Sequence, residues 1–139
     1  MHKDFDRWNK KKKTLDAAAT PRVFVHEREL WFAHVGTNIG FEQDGRGDES
    51  LRPVLVLRKF NNEIFWALPL TKTEKPDSPY YASFEYIVFP EVECAPRLSS
   101  VAILSQLRLI DGKRLRYKIG TVPTEEFTAI KRKTRRLLA

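Results

Sequence analysis

Cysteine is almost missing from this chain of 139 residues: Cys94 is the single one. No internal disulfide can form and no cysteine-based zinc site can be built, which fits a reducing, cytoplasmic location. Histidine is nearly as scarce. His2, His26 and His34 are scattered and lack metal-ligand spacing with carboxylates. No apolar run approaches the roughly 20 residues that a membrane-spanning helix needs. The lysine-rich start has no apolar stretch of the signal-peptide kind. There is no glycine-rich phosphate loop, no dinucleotide fingerprint, no arguable Ser/His/Asp arrangement and no internal repeat. An enzyme built from this sequence is expected to work without a metal, a cofactor or a catalytic histidine.

What is present is one domain's length with 42% apolar residues, enough for a core. Lysine and arginine total 25 against 18 acidic residues, a formal charge of +7. That balance points to an anionic partner, nucleic acid foremost. Residues 1–27 read as a basic arm with helical potential. Phe5 and Trp8 stand three apart and are expected to dock on the body, with the run Lys10-Lys-Lys-Lys13 left in solvent. Residues 28–139 form the body. Strand signals cover 29–35, 52–58, 64–70, 80–89, 100–104 and 116–122. The unbroken apolar run of 52–58 implies burial on both faces. Asn61-Asn62 turns it into a hairpin with 64–70, where Pro69 predicts an edge or a bulge. Residues 105–115 read as a turn or short helix. Pro123 then opens a helix whose buried stripe is Phe127, Ile130, Thr134 and Leu137. Glu125 and Glu126 suit its positive end, and the basic cluster 131–136 its negative end. Short strands with one terminal helix predict a mostly β protein (α+β), a small curved antiparallel sheet or barrel.

Four segments go further. They are Arg28-Glu-Leu-Trp31; Gly40-Phe-Glu-Gln43 followed by Arg52-Pro-Val-Leu-Val56; Leu68-Pro-Leu-Thr71; and Leu104-Ser-Gln-Leu-Arg-Leu-Ile-Asp111 with Lys113-Arg-Leu115 and Ile119-Gly120. In this order, from about residue 28 to the C-terminus, the chain resembles the MazF/PemK toxins of type II toxin–antitoxin systems. The resemblance implies an SH3-like barrel with a C-terminal helix, of the MazF/CcdB type. It implies a metal-independent endoribonuclease, an mRNA interferase that cuts single-stranded RNA. It also implies a homodimer and a cognate antitoxin that blocks the RNA site; no membrane partner is expected, since no apolar run is long enough to span one. Its catalytic positions fall on Arg52 and Thr71. Gln106 lies near the active site in the family, and Glu42 and Gln43 would shape the RNA channel.

The residues suit that chemistry. The ribose 2′-OH attacks the neighbouring phosphate in line, leaving a 2′,3′-cyclic phosphate and a 5′-OH. Pro53 restricts Arg52 to extended backbone, so its guanidinium starts with few conformations. A guanidinium held so grips a phosphate bidentately. Thr71 can donate a hydroxyl bond to the same group. Protonated throughout the physiological range, Arg52 is no general base; it serves as electrostatic stabiliser and proton donor to the leaving oxygen, and the base stays unassigned. Lys72 and Lys75 are placed to bind flanking phosphates.

Plainer readings stand beside these. Arg52 can pair with Asp48 or Glu49, and Thr71 can be an ordinary strand end. Glu42 and Gln43 can be a solvated loop pair, and Gln106 a buried amide that ties down a turn. Trp31, Phe32, Phe65 and Trp66 fit core or dimer surface better than base-stacking platforms. Some relatives carry histidine where Phe41 stands, and charges where Ile103, Leu104 and Ser105 stand. The 44–51 loop is longer than is common, and Gly45 and Gly47 suit a mobile gate. Its Asp44, Asp48 and Glu49 repel phosphate unless they move or pair with Arg46. The same fold also leaves open a non-catalytic toxin, gyrase-inhibiting like the CcdB relatives, or a module that only binds nucleic acid or antitoxin.

Overall fold

The computed structural model describes residues 3–19, 23–47, 49–73 and 77–139. The element order is α1 (Phe5–Ala17), β1 (Glu29–His34), β2 (Leu51–Lys59), β3 (Ile64–Thr71), β4 (Tyr81–Val88), β5 (Leu98–Ile103), β6 (Arg108–Asp111), β7 (Leu115–Thr121) and α2 (Thr124–Leu137). Single 3-10 turns, Leu104–Gln106 and Gly112–Arg114, flank β6. Every strand pairing is antiparallel. The order β2-β1-β7-β4-β5-β3 returns to β2 through the β2–β3 pairing, so six strands close a barrel and β6 adds to β3. Closure leaves few free edges for stray pairing.

The apolar run in β2 explains how one strand serves two cores. Side chains alternate across a strand. Leu55 and Leu57 therefore join one cluster, with Leu30, Leu68, Leu70, Phe84 and Phe127. Val54 and Val56 join the other, with Trp31, Ala33, Phe65, Ala67 and Ile110. α2 closes the first cluster with Phe127, Ile130 and Thr134, while Leu137 is half-buried. The Thr134 hydroxyl donates to the Ile130 carbonyl at 2.8 Å, so its burial leaves no polar group unmet.

Three expectations need correction. Residues 105–115 are not merely a turn: Arg108–Asp111 is a strand paired with β3, Phe65 facing Ile110 and Trp66 facing Leu109. Ile110 is buried and Leu109 exposed, the alternation of a half-covered strand. Pro69 is not at an edge, because β3 pairs with β2 on one side and with β6 and then β5 on the other. The far-side partners stop at Ala67 and resume at Leu70, so the proline stands in the handover. The irregularity of the β2–β3 ladder lies elsewhere, between Val56 and Arg58. Finally, Trp8 docks but Phe5 stays half exposed.

α1 starts at Asp4, whose carboxylate accepts the Arg7 N–H at 2.9 Å. Its one buried residue is Trp8. The indole lies on Gly36, where an added Cβ would come within 2.0 Å of the ring and where φ is +88°. Only glycine meets both demands. The 89–97 connection between β4 and β5 is exposed throughout and carries Cys94. No helix among the described residues is long and apolar enough to cross a membrane.

Candidate functional site

The β2–β3 register fixes the centre of the site. Val54 faces Pro69 and Leu55 faces Leu68. Two residues further out, on the same face by strand alternation, come Arg52 and Thr71. The Arg52 Nε donates to the Asp44 carbonyl at 2.5 Å, and its Nη1 donates to the Leu70 carbonyl at 3.0 Å. These bonds tie the guanidinium between the loop and the residue before Thr71. Glu49 is not its partner: that carboxylate lies 3.8 Å from both Lys11 and Arg116. Asp48 and Lys75 lie outside the described residues. Burial lowers the Arg52 pKa and nearby Arg46 adds to this, with Asp44 opposing. The remaining N–H donors are uncommitted to any acceptor among the described residues.

Thr71 ends β3 half-buried, opposite Val101 of β5. Its Oγ1 accepts the Thr73 N–H at 3.2 Å, which leaves the hydroxyl proton to donate. Lys72 follows it, exposed.

The loop after β1 is held by its own side chains. The Asn38 amide donates to the Val35 and Gln43 carbonyls at 3.3 and 2.7 Å. Asp44 Oδ1 accepts the Asn38 N–H at 2.6 Å. The Glu42 carboxylate turns back to the Ile39 N–H at 2.9 Å. Gln106 spans the gap from the β5–β6 turn: its Oε1 accepts the Gln43 N–H at 3.4 Å and its Nε2 donates to the Phe41 carbonyl at 3.3 Å. Arg46 and Leu51 form a bridge with paired backbone bonds of 2.7 and 2.9 Å. The arm adds a brace. Lys3 Nζ donates to the Asn38 and Gly40 carbonyls at 2.6 and 3.2 Å and pairs with Asp44 at 3.1 Å.

A cavity of about 260 Å³ opens beside these groups, lined by Asn38, Glu42, Gln43, Gln106 and Arg108 among others. Arg108 is a feature that sequence reasoning left without a role. Burial lowers its pKa, with Glu42 opposing. Its place on β6, two residues before buried Ile110, is set by the fold and not by any local pattern. A second hollow of about 400 Å³ lies between α1 and the 3-10 turn before β7, lined by Trp8, Lys12, Lys13 and Arg114, away from Arg52 and Thr71. Of the aromatics weighed above, Trp31 and Phe65 are core, and Phe32 lies 4.9 Å from the Tyr117 ring. Trp66 is part-exposed, edge-on to Phe60. Among the described residues no three His, Cys, Asp or Glu side chains gather to hold a metal ion.

The family model of PemK-like, MazF-like toxins of type II toxin–antitoxin systems matches residues 28–138. The chain belongs to that family. Its fold is similar to the Mycobacterium tuberculosis toxin MazF-mt6, with a TM-score of 0.56 at 15% identity over 80% of this chain and 96% of that one. It is similar to MazF from Deinococcus radiodurans, with a TM-score of 0.57 at 20% identity over 84% and 97%. An endoribonuclease from a mycobacterial species gives 0.55 at 12% identity over 87% and 95%. At such identities the likeness shows the shared fold. No curated protein matches the chain by sequence. Helix α1 precedes the residues that match the PemK/MazF toxin family.

Proposed function

We propose that this toxin is a metal-independent endoribonuclease that cleaves single-stranded RNA, with Arg52 and Thr71 at the scissile phosphate. The observation that carries the reading is the Arg52 guanidinium, held by the carbonyls of Asp44 and of Leu70, the residue next to Thr71, at one end of the β2–β3 hairpin. Family membership supports it, as does the fold shared with an endoribonuclease.

The ribose 2′ oxygen attacks the adjacent phosphorus and loses its proton, and the bond to the 5′ oxygen breaks. Negative charge grows on the non-bridging oxygens in between. Arg52 meets that charge with preoriented N–H donors, and the Thr71 hydroxyl adds another. Arg52 stays charged at neutral pH and serves as the proton donor to the departing 5′ oxygen. The base that takes the 2′ proton is unassigned. Lys72 and Arg108 attract flanking phosphates. Gln106 holds the Phe41–Gln43 backbone that walls the cavity, and the Glu42 carboxylate holds its turn. The working unit is a homodimer in the cytoplasm, restrained by a cognate antitoxin.

RNA incubated in excess EDTA tests the reading. Wild type should yield 2′,3′-cyclic phosphate and 5′-OH ends, and Arg52→Ala should slow cutting by roughly 100- to 1000-fold, the usual loss for one transition-state donor. No cutting by wild type would leave the non-catalytic toxin, and equal cutting by both proteins would remove Arg52 from the site.

A further inference from the structure

Phe41 is 99% exposed. An exposed phenylalanine adds nothing to the core and forgoes the stabilisation that burial would give. Yet the backbone around it is bonded from three sides. The Phe41 carbonyl is held by Gln106, the Gly40 carbonyl by Lys3, and the turn around it by Glu42 through the Ile39 N–H. The backbone that carries the ring is thus held from below while the ring itself stands open to solvent. No other described aromatic takes part in a ring contact with it.

The surroundings say what such a ring faces. Glu42 and Gln43, the next two residues, line the cavity with Gln106 and Arg108. Asp44, one further, accepts Arg52 through its carbonyl. Two arginines and two amides, groups that take phosphates and base edges, stand here beside two carboxylates that are already engaged, Glu42 by the Ile39 N–H and Asp44 by Lys3. Ile39 is the one other strongly exposed apolar side chain of this loop, too little for the contiguous apolar patch of a protein-docking face.

We propose that Phe41 is a stacking platform for an unpaired RNA base next to the phosphate held by Arg52. The assignment rests on the RNA-cleaving reading and adds a specificity contact to it. Aromatic stacking is open to every base and so suits a single strand.

The test uses full-length protein and an RNA oligonucleotide with one 2′-deoxy sugar at the cleavage position, so that it binds without being cut. 2-Aminopurine is placed in turn on either side of that sugar. Wild type should quench the probe at one position. Phe41→Ala and Phe41→Leu should lose the quench and weaken binding about tenfold, with the matching rise in KM on cleavable RNA at near-constant kcat. Phe41→Trp should restore both. Wild-type binding and quench in Phe41→Ala would overturn the platform, as would full function in Phe41→Leu, which keeps apolar contact without a π face. If wild type binds and quenches but does not cut, the cleavage reading fails and the platform stands. If wild type does not bind RNA, both fall.

Discussion

Helices α1 and α2 sit at opposite ends of the chain and dock by different physics. α2 buries Phe127, Ile130 and Thr134 along one stripe and closes a core cluster of the barrel. α1 buries only Trp8, which belongs to neither cluster. The rest of its attachment is polar: Lys3 on the 38–44 loop, Lys113 on the Asp16 carbonyl at 2.8 Å, and Lys11 near Glu49. One helix is part of what makes the barrel stable. The other is fastened to a loop beside the candidate site, so its loss should register in activity before it registers in folding.

The largest effect expected from breaking this contrast is on α2. Ile130→Ala empties a fully buried position and should cost about 2–5 kcal/mol in urea unfolding. Trp8→Ala is the counterpart. It should free the Phe5–Ala17 amides to exchange with deuterium while the urea midpoint of the barrel hardly moves. A large fall in that midpoint would mean that α1 supports the core after all. Smaller still, Lys3→Met should leave stability unchanged and raise KM for RNA a few-fold, since the loop carrying the Arg52 acceptor loses its brace; Lys3→Arg should recover part of it. If Lys3→Met cuts RNA like wild type, the arm does not act on the site.

The smallest effect belongs to the body alone. Glu29 is buried, and burial by itself raises its pKa. The His26 N–H, the Trp31 indole N–H and Lys118, which lies 3.0 Å away, outweigh that and leave it lowered from 4.5. A carboxylate with a lowered folded pKa contributes stability that is complete above its unfolded value and fades as pH falls through the folded one. Acid unfolding below about pH 4.5 should therefore be shallower in Glu29→Gln than in wild type. Equal slopes would show that Glu29 is not a source of acid sensitivity.

The same contrast explains what could be read from the sequence. α2 was legible because its own residues supply a buried stripe at helical spacing. The doubly covered run of β2 and the Asn61-Asn62 hairpin were legible for similar reasons, and with them the placing of Arg52 and Thr71 at one hairpin end. β6 was not, since four residues with one buried side chain carry too little periodicity. The setting of Pro69 depends on which strands lie beyond it. The brace on the 38–44 loop joins residues 35 to 41 apart, and the Gln106 clamp joins residues 63 and 65 apart. No local pattern encodes such contacts. Phe41 stands out in the sequence only for the histidine it replaces, because exposure is a property of the folded chain.

The open 89–97 connection has a practical consequence. Its Cys94 is the chain's sole thiol and points to solvent, so a maleimide dye would attach at one place without any engineered change. Energy transfer from that dye to an acceptor on either end of an oligonucleotide would then reveal the polarity with which the strand lies across the barrel.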